Sequence, residues 1–372
     1  MPSGVVLTPN GSRILDSLGV FSRIKDRCYV SSHRIFKNDQ DETTKKVETG
    51  EKGPGGFQNL RIWRSLLLDE MRAMLKERKV PIHYASRFNG IVEEGPDKVV
   101  FRINEDTRNA AFLIGSDGIY SSVRKCLAPT IKPEYTGLVA VLSHIPYNSV
   151  KWPYEPYEKN ATIQSKPGAI FWVAEDPAGE NLMIGKQVHY PEQSRQDLEV
   201  LQADRDKLAD FYLKDYEEYG ETAKKIIDSV VRHKETLYIW PFLKMPKLDR
   251  WFSEAGRVIM MGDGAHALPP SSGQGVNQAL EDAYSLTYLL NSLQPSSNVM
   301  QALNFWQQMR QDRIDAVFDW TENSANISRL PEAERKRLFA EGKVKEGHGD
   351  EMSWLYKPDI EHKIDQWMQS DS

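Results

Sequence analysis

The hydrophobic positions of this chain change period several times, and each change predicts an element. From Gly256 to Leu290 the sequence reads GRVIMMGDGAHALPPSSGQGVNQALEDAYSLTYLL. Val258, Ile259, Met260 and Met261 form a short unbroken apolar run, as expected of a strand buried on both faces of a sheet. A turn follows at Gly262-Asp263-Gly264. Beyond two prolines, Gly273-Gln274-Gly275 opens a segment in which Val276, Ala279, Leu280, Ala283, Leu286 and Leu290 recur at helical spacing. The free N–H groups of that helix's first turn face back toward the strand-end turn. Ala110 to Arg124, AAFLIGSDGIYSSVR, repeats the order of apolar strand, turn and helix. In the middle of the chain, Ala169–Val173 and Leu182–Gly185 flank the turn-rich Glu175–Glu180, a hairpin pattern. A helical stretch runs from Asp197 to Val231, and Val299, Ala302, Leu303 and Trp306 mark a later helix. The polar segment from Lys37 to Gly56 reads as an exposed loop.

The strand, turn and helix at 256–290 make a site for an electron-rich ligand. Gly273 and Gly275 allow close backbone approach, and the helix N-terminus adds partial positive charge that favours an anionic ring system. Asp263, at the carboxyl end of the strand, is placed to accept hydrogen bonds from sugar or ribityl hydroxyls. For any one of these residues a plain turn or cap is the competing reading. The whole spaced set favours ligand binding.

The stretch resembles the second FAD-contacting motif of the class A flavin monooxygenases, the salicylate-hydroxylase-like aromatic hydroxylases and epoxidases. Asp263, His266, Pro269, Gly273, Gln274, Gly275, Asn277, Glu281 and Asp282 fall in register with it, and Gly264 replaces a more usual alanine. Asp117 and Gly118 resemble the family's DG pair, with Arg124 as the basic residue after it. Arg64 matches the arginine that opens a helix and reaches the FAD ribose and phosphates. The resemblance implies an α/β fold: a Rossmann-like three-layer FAD domain with an inserted α+β substrate domain and C-terminal helices. It implies cofactor contacts from Arg64, Asp117, Gly118, Arg124, Gly262, Asp263, Pro269, Gly273, Gln274, Gly275, Val276 and Asn277. Asp117 would orient its loop and Arg124 would meet phosphate charge. His266 is read as structural, because a lone histidine in a glycine turn more often holds a hydrogen bond than a catalytic role.

The family pattern begins with a strand and a G-x-G-x-x-G turn, and no such spacing occurs in the 372 residues. The chain starts within a segment resembling GAGI-x-L-x-PN, at MPSGVVLTPN. The N-terminal βαβ unit is therefore expected to be missing. Its loss would remove a central strand and the main pyrophosphate cradle. FAD affinity is expected to fall, and the remaining sheet to close up, recruit a strand or fray.

The expected domains are 1–130 and 246–372 for the two parts of the FAD domain and 131–245 for the substrate domain. Phe171, Trp172, Tyr238, Trp240 and Phe242 are candidates for an apolar substrate pocket, although core packing explains them as well. A 40% hydrophobic content supports a large core. The net charge of -5 argues against a nucleic-acid surface. No apolar run reaches membrane-span length, and no signal sequence is visible. Cys28 and Cys126 suggest neither a disulfide framework nor a metal site, so a cytoplasmic location is expected.

The resemblance implies that NADPH or NADH reduces FAD and that one oxygen atom of O2 reaches a small apolar or aromatic substrate. The alternative is a flavin-free pseudoenzyme, a small-ligand binding protein or a non-redox enzyme on the same fold.

Overall fold

The computed structural model describes residues 3–51, 55–294, 297–342 and 353–370. The first part of the chain carries β1 (Gly4–Leu7), α1 (Pro9–Ser17), α2 (Phe21–Ile24), β2 (Tyr29–Ser31), β3 (His33–Lys37), β4 (Thr43–Glu48), β5 (Asn59–Trp63) and α3 (Arg64–Glu77). There follow β6 (Phe88–Glu94), β7 (Val99–Ile103), β8 (Asp106–Ala110), β9 (Leu113–Gly115) and α4 (Ser122–Leu127). The middle holds β10 (Glu134–Pro146), β11 (Asn160–Ser165), β12 (Gly168–Ala174), β13 (Asn181–His189), α5 (Arg195–Ala203), α6 (Arg205–Leu213), α7 (Glu221–Arg232) and β14 (Tyr238–Lys244). The last part holds β15 (Val258–Met260), α8 (Asp263–His266), α9 (Gly275–Ser292), α10 (Val299–Trp320), α11 (Glu332–Ala340), α12 (Ser353–Tyr356) and α13 (Ile360–Ser370).

Strands β9 and β15 pair in parallel, Leu113 opposite Val258 and Gly115 opposite Met260. Both are short apolar runs that end at a turn, so the Asp117-Gly118 and Gly262-Asp263 turns lie side by side at one sheet edge. β15 is fully buried between β9 and the core built by α9 and α10, where Trp306, Leu303 and Leu289 pack. Among the described residues β9 has no second strand partner, and Ile114 is 39% exposed. The parallel element has neither closed up nor recruited a strand on that side.

The large sheet runs β14-β10-β13-β12-β11-β3-β4. Its neighbours are antiparallel except β3 and β11, which run parallel. One face is covered by α5, α6 and α7, whose Leu208, Tyr212, Ile226, Ile227 and Val230 interleave with Val139, Val141, Ile145 and Ile184. Alternation along a strand sends the intervening residues to the other face. There Leu138, Ala140 and Phe242 cluster, with Leu142 against them. The segment expected as a polar loop from Lys37 to Gly56 contains β4, the outer strand of this sheet. Its Thr43, Thr44, Lys45 and Lys46 are exposed, and lysine-rich composition is how an edge strand avoids pairing with another chain. That composition hides the strand from a hydrophobic pattern.

Candidate active site

The turn after β15 is built on glycines that no other residue replaces cheaply. Gly262 has φ +58 and Gly273 has φ +62, both in the left-handed region. Space around Gly273 is open, with nothing among the described residues within 4 Å of where a Cβ would stand. At Gly275 a Cβ would come 3.9 Å from Asp263 Oδ1, so the carboxylate faces the start of α9. Asp263 is reachable by solvent yet set deep among protein atoms. That burial raises its pKa, opposed by the nearby charges of His266 and Arg64. Arg64, the first residue of α3, is exposed; its backbone N–H donates to the Ser3 carbonyl at 2.9 Å, and its guanidinium makes no hydrogen bond or ion pair among the described residues.

A buried ionic network holds the turn from below. Asp282 Oδ2 accepts from Gly262 N at 2.8 Å and pairs with His266 Nε2 at 2.6 Å, while Oδ1 accepts from Arg310 Nε at 2.8 Å. Glu281 takes Arg310 Nη1 at 2.5 Å, Arg313 Nε at 2.7 Å and Asn10 Nδ2 at 2.7 Å. Burial alone would raise the Asp282 pKa, but His266 and Arg310 outweigh it and hold it at about 2. His266 thus spends Nε2 on Asp282 and ties the turn to α9.

Several residues expected as cofactor contacts have their polar groups occupied by the chain. Asn277 accepts from Thr8 N at 3.1 Å and donates to the carbonyls of Val6 at 3.0 Å and Gly273 at 3.1 Å. Its amide ties β1 and α1 to α9, and the Cβ that Gly11 lacks would stand 2.1 Å from Asn277 Oδ1. Gln274 is buried and donates to Thr8 Oγ1. Arg124 is buried and donates to the carbonyls of Gly264 at 2.9 Å and Ile119 at 2.5 Å. It fastens one turn to the other; its two terminal nitrogens are not free for phosphate. Asp117 accepts from Ser121 Oγ at 2.5 Å, Ser122 N at 2.6 Å and Val123 N at 3.2 Å, so it orients the loop as expected. Gly118 supplies φ +79 there. Pro269 is buried in the turn, and Val276 packs toward β1 and β5. The open groups are Arg64, Asp263, Gly273 and Gly275.

On the far face of the large sheet lies a cluster that local spacing does not show. His144 Nδ1 pairs with Glu175 Oε2 at 2.5 Å, and Arg61 Nη2 donates to Glu175 Oε1 at 3.1 Å. The His144 ring stacks on Tyr238 at 5.5 Å and lies 5.4 Å from Trp63. Its Nε2 is buried with no partner among the described residues. A carboxylate on Nδ1 fixes the tautomer that leaves Nε2 as an acceptor. The Tyr238 hydroxyl stays protonated, its pKa pushed up to about 12 by burial and by Glu175. Trp240, on the same side, is 38% exposed. Of the other expected pocket aromatics, Phe171 lies on this face, where the Arg329 guanidinium covers it at 4.5 Å. Trp172 points the other way, into the helix-side core, and donates to the Glu158 carbonyl. It is a packing residue, as its one-residue offset from Phe171 requires.

This combination of fold and turn defines a flavin-dependent oxidoreductase of the class A monooxygenase type. A family model described as an FAD binding domain matches residues 2–321, and the chain belongs to that family. It is 22% identical over 327 residues to the FAD-dependent monooxygenase OpS4 of Beauveria bassiana, covering 85% of this chain and 74% of that protein. It is 26% identical to the 6-methylsalicylate 1-monooxygenase atA of Aspergillus terreus, over 81% of this chain and 66% of the relative. Among solved structures, a salicylate hydroxylase substrate complex superposes with a TM-score of 0.74 at 20% identity, covering 97% of this chain and 89% of the other. Klebsiella pneumoniae HpxO complexed with FAD and uric acid gives 0.72 at 16% identity, covering 100% and 87%.

The residues present fit FAD at the turn: an uncovered glycine backbone, an acceptor at Asp263 and an uncommitted cation at Arg64. No helix among the described residues is long and apolar enough to cross a membrane.

Proposed function

We propose that the chain is an FAD-dependent monooxygenase that uses NADPH or NADH and O2 to hydroxylate or epoxidise a small apolar or aromatic substrate of secondary metabolism. The observation that carries this reading is the turn after β15, where the backbone of Gly273 is uncovered and Asp263 Oδ1 faces the start of α9, 3.9 Å from where a Cβ of Gly275 would stand. When bound, FAD would supply the redox chemistry by which reducing equivalents of the nicotinamide and O2 put one oxygen atom on the substrate and release the other as water. Asp263 accepts from its hydroxyls, Gly273 and Gly275 let the backbone approach, and Arg64 offers charge to phosphate. Trp240, Tyr238 and Leu142 hold the substrate and exclude water. We assign His144 Nε2 as the acceptor for a phenolic or similarly acidic proton, with Glu175 stabilising the imidazolium. Removing that proton makes an aromatic ring more electron-rich. The free thiols Cys28 and Cys126 suit a cytoplasmic setting.

Labelled dioxygen tests the reading. With FAD and NADPH, a hydroxylated phenol should carry one labelled oxygen atom by mass spectrometry. Product without label, or product formed equally in flavin-free protein, would move the chain to non-redox chemistry.

A further inference from the structure

A cavity of about 530 Å³ lies on the helix side of the large sheet and away from the aromatic face. Tyr135 and Val139 of β10 form its floor and belong to the helix-side core, whereas their neighbours Leu138 and Ala140 face the other way. Leu198 of α5 and Ile131 of the segment after α4 close its sides. The lining is mostly apolar, and the volume is in the range of small-molecule sites.

The polar groups of the wall have one dominant sign. Arg124, Lys125, Lys132 and Arg195 line the cavity, against a single acid, Glu192. Arg195 shares its charge with Glu199 at 3.0 Å. Lys125 and Lys132 are exposed, and their ammonium groups have no ion pair or hydrogen bond among the described residues. Arg124 spends its terminal nitrogens on two carbonyls, but its buried Nε has no partner among the described residues. Surface lysines alone would mean nothing. Here they stand at the rim of a preformed apolar chamber, so an apolar body enters the chamber while an anionic end meets the cations.

We propose that this cavity binds a small amphipathic anion, an aromatic or aliphatic body carrying one carboxylate or sulfonate, at a station separate from the flavin turn. The assignment does not depend on the monooxygenase reading. It places a second small molecule against Arg124, the residue that also fastens Gly264 in the flavin turn.

The test uses anilinonaphthalene sulfonate and its neutral analogue phenylnaphthylamine, titrated calorimetrically into the full chain with FAD in excess. The sulfonate should bind at one site about tenfold more tightly than the neutral dye, the size of effect that one partly exposed charge contact supplies. K125E/K132E should abolish that preference while leaving the neutral dye bound. Leu198→Trp, which fills the chamber from a half-buried helix position, should weaken both dyes. Asp263→Ala should change neither. Equal affinities for the two dyes, insensitivity to both cavity variants, or loss of binding in Asp263→Ala would overturn the proposal. Displacement of the sulfonate by NADPH would overturn it too, giving the chamber to the reductant.

Discussion

Two groups of buried charge, one under the flavin turn and one on the sheet face, are built from similar residues and finished differently. Beneath the turn, Asp282, Glu281, Arg310 and His266 satisfy one another, and Arg310 Nη2 adds Gln278 Oε1 at 2.6 Å. On the sheet, Glu175 is equally buried, but its partners Arg61 and His144 each leave one nitrogen, Nε and Nε2, without a partner among the described residues. A completed network fixes geometry, because every departure exposes an uncompensated charge. An incomplete one retains a group for something that arrives later. The difference separates scaffold from chemistry more reliably than residue type does.

The largest expected effect lies in the scaffold. Arg310→Met removes the cation between two fully buried carboxylates and should cost about 3–5 kcal/mol in chemical denaturation. A loss under about 1 kcal/mol would mean that the network is ornamental. On the sheet the expectation reverses. His144→Gln should leave the unfolding midpoint nearly unchanged and lower kcat on a phenolic substrate by about a hundredfold. The phenolate absorbance of the bound substrate should disappear with it. A stability loss with unaltered kcat would make the cluster structural and end the comparison.

The scaffold was partly legible in the sequence and the sheet cluster was not. Gly256–Leu290 puts strand, turn and helix in uninterrupted order, so its elements and its glycines are readable from local pattern. Asn277 and Arg124 fall in the same pattern, yet sequence does not show whether a polar group's hydrogen bonds are spent on its own chain. Both turned out to be ties between segments, Arg124 to a carbonyl 140 residues away. Arg61, His144 and Glu175 come from β5, β10 and the turn after β12, with Arg61 114 positions from its carboxylate, and no local spacing announces such a meeting. For Trp172 strand parity alone sets it opposite Phe171, since adjacent strand residues face opposite sides.

A smaller effect concerns acid. Asp282 titrates at about 2 in the folded chain against 3.8 as its ordinary value. Its contribution to stability is therefore complete above the ordinary value and is lost as pH falls through the folded one. Stability attributable to this pair should be flat from about pH 5 to 8 and decline below about pH 4. In the Arg310→Met background that acid-side decline should shrink, as measured by denaturation at stepped pH. An unchanged decline would place the acid sensitivity elsewhere.

The central claim is that Asp263 faces the cofactor while Asp117 only orders its loop. An absorbance titration with FAD compares the parent chain with Asp263→Ala and Asp117→Ala. The account predicts at least a roughly tenfold weaker Kd for Asp263→Ala, the loss of one charge-assisted hydrogen bond, and a clearly smaller change for Asp117→Ala. Equal affinity in all three proteins, or a larger loss in Asp117→Ala, would contradict it.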